Sequence, residues 1–413
     1  MSIQLPIAEL PVAIVGGGPA GALAAALLGA RGRNVLLFDE KLAWEKPCGG
    51  GITHKALQRY PFLAETGSAS NLVSDCEIIS PSGQRVRFKL QHPVAIFSRL
   101  ALNGFLLDRA GSAGTGVEIR NERVTRIARI GEGWQLITPQ HEYKASYLIL
   151  AAGARNRFRA QFLAPISPSD LMVTAGYFIP GESSPGDGSL MQIQFLQGIT
   201  GYIWVFPRAN HVSAGIAGKM GETSTGELRR ILEKWLAENG FLVDGARFYS
   251  HILPSFRAQT FETLEVCGKG WAMIGDNAGL VDPITGEGLY YALRSAELCA
   301  DALLGGQPDG YRTRMAEEIL RELRLAARVS QRFYKGQVFG DSVLERMVGL
   351  TAQSATFREL MSDLFAGIQG YGDLRARLYR ILPAVMKECL GETLGWPWNN
   401  IGGAEFAGDS SAE

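Results

Sequence analysis

The sequence predicts an α/β fold: a Rossmann-like nucleotide-binding domain joined to a mixed β-sheet domain and a helical C-terminal region. Three observations carry this. A short apolar run, "VAIV", is followed at once by the glycine-rich turn "GGGPAG" and the alanine-rich run "ALAAALLGARG". A second strand-glycine-helix pattern appears far downstream, in "WAMIGDNAGLVDPITGEGLYYALRSAELC". Between them the chain alternates strand-like runs with turns, as in "QIQFLQGITGYIWVFPRANHVSAGIAG". Strands that alternate with helices predict a parallel sheet, and closely spaced strands predict a second, mixed one.

The N-terminal unit is the most informative element. Gly16, Gly18 and Gly21 fill G-x-G-x-x-G between a strand and a helix. Gly16 permits the tight turn, Gly18 admits a pyrophosphate to the backbone, and Gly21 lets helix and strand pack closely. Ala20 lies in the same turn, at the helix start. The N–H groups there and the helix dipole favour phosphate. The next strand, "NVLLF", ends at Asp39 and Glu40, where an acid can accept from ribose hydroxyls. Residues 11–30 are uncharged over a length that spans a bilayer. The glycine turn splits them into strand and helix instead.

Composition excludes several classes. In 413 residues, 41 Lys and Arg balance 41 Asp and Glu, which argues against binding driven by phosphate neutralisation along a nucleic acid. Cys48, Cys76, Cys267, Cys299 and Cys389 are odd in number and scattered, with no CxxC spacing. Neither a disulfide framework nor a metal site is indicated. No charged region precedes an apolar stretch at the N-terminus, so a cytoplasmic protein is expected.

"KPCGGGIT" begins at Lys46 and raises a different question. Consecutive glycines at 49–51 are costly to order, so the backbone there is expected to approach something closely. Cys48 stands at the head of this run. A buried structural thiol, a redox-sensing thiol and a proton relay are all open for it. His54, just beyond, reads as a surface or helix histidine.

Several of these segments resemble known flavoproteins. The downstream segment resembles the second FAD fingerprint of the aromatic-hydroxylase-like fold. That resemblance implies Asp276 as a ribityl ligand, with the Gly286, Glu287 and Gly288 backbone near the isoalloxazine. "FSRLALNGFLLDRA" is similar to that family's Arg-containing helix start, which implies Arg99 as a cofactor contact; the alternative is a solvated charge. "YLILAAGARNRFR" is similar to the element that ends in a small residue and glycine, here Ala152–Gly153. It departs from the family by having Tyr147 where Asp is frequent.

Taken with "GYIWVFP", the stretch "KPCGGGIT" resembles the geranylgeranyl reductases, which carry a P-x-C-G-G-like segment and a Y-x-W-x-F-P motif. Here these are Pro47, Cys48 and Gly49, Gly50, Gly51, and Tyr202, Trp204, Phe206 and Pro207. The resemblance spans roughly residues 10–305. It implies FAD-dependent saturation of isoprenoid C=C bonds, with NADPH or another transient electron donor, since no second full G-x-G-x-x-G exists. Cys48 beside the flavin, Tyr202 and Trp204 are then the catalytic candidates. Tyr202, Trp204 and Phe206 share a strand face and form a wall for an apolar substrate, with Pro207 beside them; the alternative is plain core. Three other readings share the fold: a flavin halogenase, a hydroxylase or monooxygenase, and a non-catalytic FAD-binding redox sensor.

The expected organisation follows from these segments. Residues 1–72, 94–160 and 267–305 form a discontinuous FAD-binding domain. Residues 73–93 and 161–266 form the substrate-binding sheet, 306–400 the helical region, and 401–413 a polar, disordered tail. Stretches such as "LRARLYRILPAVMKECL" mix apolar and basic residues. They suit either helices packed on the substrate domain or peripheral contact with a membrane surface.

Overall fold

The computed structural model describes residues 9–394, apart from 156, 187 and 339 and the side chains of 68 and 391–394. The tail expected at 401–413 lies outside the described residues.

A six-stranded sheet forms the first layer. Its order is Cys267–Gly268, Trp271–Met273, Tyr147–Leu150, Val12–Val15, Val35–Phe38 and Val117–Arg120. Val12–Val15 pairs in parallel with both Tyr147–Leu150 and Val35–Phe38. These strands are buried on both faces, which is why they read as unbroken apolar runs. Helix Pro19–Gly29 lies on this sheet, with Pro19 at its first position, where no N–H is missed. A three-stranded meander, Arg126–Ile130, Gly133–Ile137 and Glu142–Ala145, stands beside it.

An eight-stranded sheet forms the second layer, ordered Arg247–Pro254, Leu171–Pro180, His211–Lys219, Gly201–Pro207, Leu190–Phe195, Ser70–Ile79, Arg85–Phe97 and Gly51–Ile52. Pairing crosses the boundaries expected at 72/73 and 93/94. Ser70 pairs with Phe97 and Gly51 with Ile96, so both ends of this hairpin and the glycine run join the large sheet. The two faces of this sheet are covered differently. Ile203 and Val205 pack with Leu228 and Leu232 of helix Thr225–Glu238. Trp204 turns the other way, into a cluster with Met172, Phe178 and Tyr249.

Helices Arg321–Lys335, Val343–Gln353, Ala355–Phe365 and Tyr371–Leu394 pack on the Ser70–Phe97 hairpin through a separate core. Among the described residues no helix is long and apolar enough to cross a membrane.

Candidate active site: a glycine-lined cavity with an apolar far end

A cavity of about 1050 Å³ runs between the two sheets and on to the C-terminal helices. It is at the upper end for a single ligand site. Of the residues expected at a site, all line it except Gly21 and Pro207.

At the first end the turn after Val15 does what its glycines demand. Gly16 has φ +114°, and a Cβ there would meet Ala151 O at 2.4 Å. Gly21 stands behind the cavity wall, where a Cβ would lie 1.9 Å from Gly16 O. Gly18 differs: nothing lies within 4 Å of its Cβ direction, so the backbone is bared toward open space. Asp39 accepts from Gly17 N at 2.7 Å through one carboxylate oxygen, and from Lys41 N and Leu42 N at 2.8 and 2.9 Å through the other. It ties the turn to the second strand while facing the cavity. Glu40 pairs with Arg123 at 3.5 Å on the rim.

Deeper in, Asp276 is met by Lys46 Nζ at 3.3 Å. Burial alone pushes its carboxyl up, but Lys46, with Arg99 and His251, outweighs this and holds it below the usual range. The helix Arg99–Gly111 begins at the cavity. Ser98 caps it, and Glu45 accepts from the Ser98 hydroxyl and from Arg99 N at 2.5 and 2.8 Å. Arg99 is only 4% exposed, which excludes the solvated-charge alternative. Its Nε is buried without a partner among the described residues. A bared glycine backbone at a helix start and a buried guanidinium with one unpartnered nitrogen in the same cavity fit a dinucleotide cofactor.

The run at 46–53 is held by a residue that sequence reasoning missed. The Arg208 side chain, fully buried, donates to the carbonyl of Cys48, pairs with Glu45, and reaches Gly49 O at 3.4 Å. Ser213 donates to Cys48 O as well, at 2.9 Å. Burial raises the Glu45 carboxyl, but Arg208, Ser98 and the Arg99 N–H bring it below its ordinary value. The glycines here answer to the protein before any ligand. A Cβ on Gly49 would meet Phe206 at 2.8 Å, and Gly50, with φ +88°, would meet Phe97 O at 2.2 Å. Arg208 immediately follows the Phe206–Pro207 motif, and Glu45 and Lys46 stand just before Pro47–Cys48, so proximity in sequence was the available signal. His251 carried no such signal. It lines the cavity from strand Arg247–Pro254, and burial, with Lys46 nearby, pushes its imidazole down to about 4. His54 starts helix His54–Arg59 and stacks on His92 at 4.1 Å, away from these groups.

Tyr202, Trp204 and Phe206 all face the cavity. Pro207 does not, because a strand alternates its side chains and the residue after Phe206 turns to the opposite face. Trp204 is 7% exposed and seats its ring where a Cβ on Gly215 would be, 2.2 Å from Cζ2. The Tyr202 hydroxyl donates to Thr285 O at 2.7 Å, and Gly286, with φ +71°, leaves room for it. Burial raises the Tyr202 phenol far above its ordinary value, with Asp282 and Cys48 adding to it. Through this hydrogen bond the tyrosine ties its strand to the Thr285–Gly288 loop. Glu287, the half-buried acid of that loop, accepts from the Thr53 hydroxyl at 2.9 Å. Burial pushes it up to about 7, with Asp282 adding and Thr53 and Lys55 opposing. Beyond the aromatic wall the cavity is lined by Met347, Met361, Leu364, Phe365 and Leu374 from the C-terminal helices.

Among the described residues no cluster of His, Cys, Asp and Glu suits a metal ion. The arrangement is that of a flavoprotein, and the chain is an FAD-dependent oxidoreductase. Residues 10–161 match the pyridine nucleotide-disulphide oxidoreductase family. The geranylgeranyl diphosphate reductase of Synechocystis sp. is 25% identical over 384 residues, covering 84% of this chain and 91% of that one. A geranylgeranyl bacteriochlorophyll reductase-like structure from Thermoplasma acidophilum superposes with a TM-score of 0.74 at 19% identity, covering 90% and 99%. A flavin-dependent brominase, Bmp2, shares the fold with a TM-score of 0.67 at 17% identity, covering 91% and 99%. In sequence the chain is similar to geranylgeranyl reductases, and in fold to a geranylgeranyl bacteriochlorophyll reductase-like protein.

Proposed function

We propose that the protein saturates C=C bonds of an isoprenoid chain. The observation that supports this best is the continuity of one cavity. Its first end offers a bared glycine backbone and paired charges, and its other part is apolar, lined by Tyr202, Trp204 and Phe206 and by the C-terminal helices. A long hydrocarbon chain suits the second part as a dinucleotide suits the first.

FAD, reduced by NADPH or another donor, supplies a hydride when bound. Within this reading Gly18, Asp39, Arg99 and Asp276 would hold the cofactor, and Cys48 and the glycines beside it line the same cavity. The aromatic wall excludes water, because an unactivated alkene accepts hydride poorly and charge developing on carbon needs a dry, preorganised surround. One alkene carbon takes the hydride and the other takes a proton. Glu287 is the proton source in this scheme. A carboxyl raised to about 7 retains its proton near neutrality, and the Thr53 hydroxyl fixes which oxygen stays free to carry it.

The deciding experiment is anaerobic single turnover: flavin reduced with dithionite, then mixed with geranylgeranyl diphosphate. Flavin reoxidation with a gain of two hydrogens per bond, seen by mass spectrometry, supports the reading. Repeated in air with halide present, rapid substrate-stimulated oxygen use supports the hydroxylase and halide incorporation the halogenase, while no turnover in either experiment with intact flavin supports the sensor. A raised carboxyl is protonated below its pKa, so the alkene step should slow as pH rises through about 7. Glu287→Gln should run at least about tenfold slower, 1.4 kcal/mol in barrier, with that pH step gone and flavin reduction unchanged. An unaltered pH profile in the variant removes Glu287 from the role.

A further inference from the structure

We infer that the outer face of the last helix, Tyr371–Leu394, docks on a bilayer that carries anionic headgroups; this rests on the isoprenoid reading above. The helix has three distinct sides. Val385 is buried, and Leu374 and Ile381 pack against the core that joins these helices to the sheet. Glu388 anchors the same side by accepting from the Ser354 and Thr356 hydroxyls at 2.5 and 2.7 Å.

A second side is apolar and exposed. Leu378, Leu382, Met386 and Leu390 recur every fourth residue and are 40–56% exposed, with Tyr379 at 63%. At 100° per residue they fall in an arc of roughly 120°. Single exposed apolar residues need no explanation, but a stripe of five along one helix does. The third side supplies charge. Arg380 and Lys387, both exposed, border the stripe on its edge away from the core, and Arg375 stands at its N-terminal foot. An apolar stripe edged by cations on a helix that lies flat on the protein is the pattern of an interfacial helix.

Position relative to the cavity points to the same occupant. Tyr371 and Leu374, at the start of this helix, line the cavity's apolar end. Val329 of helix Arg321–Lys335 lines it too and is 38% exposed, so the cavity reaches the surface there. Leu325, one turn before Val329, sits at Gly372. The opening therefore adjoins the root of the stripe. A chain that leaves a bilayer beneath the helix meets the cavity without crossing water.

The test is flotation of the FAD-loaded full chain with vesicles of phosphatidylcholine alone or mixed with phosphatidylglycerol. The mixed vesicles should bind at least about tenfold more protein, and the excess should vanish at 1 M salt, where the Debye length is about 3 Å. L382E/M386E should reduce binding to both compositions at least about tenfold. R380E/K387E should remove the preference for phosphatidylglycerol. Both variants should keep the flavin spectrum and melting temperature, since these side chains are exposed. No flotation of the wild type overturns the inference. So does loss of a dimer in L382E/M386E by light scattering without any flotation, which makes the occupant a second copy. Reduction of soluble geranylgeranyl diphosphate without flotation leaves the function standing and removes the docking surface. Flotation without reduction does the reverse.

Discussion

Two glycine clusters face the same cavity for different reasons. In the turn after Val15, Gly18 points at open space, and only a ligand would object to a side chain there. In the run after Cys48, Gly49 and Gly50 point at Phe206 and at the Phe97 carbonyl, so the protein itself forbids side chains. The first cluster is shaped for what binds, and the second for how the backbone threads between two strands and the Arg208 guanidinium. Identical residue types thus carry separate demands, on affinity in one place and on folding in the other.

The largest expected effect tests the second cluster. Gly50→Ala combines a positive φ of +88° with a contact of 2.2 Å to Phe97 O. It should cost roughly 2–4 kcal/mol of stability, from strain and overpacking. Denaturant unfolding of the FAD-free protein measures this. If apoprotein stability holds and only FAD affinity falls, the contrast between the clusters disappears.

Gly18→Ala should act oppositely. Its φ of −69° suits alanine, so stability of the apoprotein should hold. The added methyl should weaken FAD about tenfold, 1.4 kcal/mol, by titration of the flavin signal. Unfolded apoprotein, or unchanged affinity, would each show that the open space at Gly18 is not where the cofactor comes near.

Cys48→Ala is the smallest change and sharpens the boundary between the clusters. The backbone here is held through the Cys48 carbonyl, which every residue has, so loss of the thiol should cost less than about 1 kcal/mol of stability. Stopped-flow measurement should nonetheless find one half-reaction slowed about fivefold, ~1 kcal/mol in barrier. Equal rates in both half-reactions would leave the thiol without a part in turnover.

How much of the site was legible depended on whether its parts lie close together in the chain. Strand, turn, helix and acid from Val12 to Asp39 are one contiguous unit, and periodicity with glycine spacing exposes it. Asp276 and Gly286–Gly288 were singled out by the resemblance of their contiguous segment to a flavoprotein fingerprint, and they line the same cavity. Trp204 and Phe206 were placed on the cavity face by the two-residue period of a strand, and the same period sets Pro207 on the far face. Arg208, Lys46 and His251 were not seen. Each becomes a site residue only through partners far off in sequence: Cys48 and Glu45 for Arg208, Asp276 for Lys46, the facing domain for His251.

The sequence by itself determined the strand–turn–helix unit after Val12, the alternation of sheet and helix, and the motifs that line the cavity. Each of these is a local rule of backbone geometry: a strand's period, a helix start, a turn that only glycine can make. Only the tertiary structure decided that residues 51–52, 70–72 and 94–97 join the large sheet, and that Arg208 staples the Cys48 run. It also decided that the last helix turns Leu378, Leu382 and Met386 outward. A hydrogen-bonded register, a buried ion pair and the choice of which apolar face to cover depend on what the rest of the chain brings alongside, and no local pattern records that.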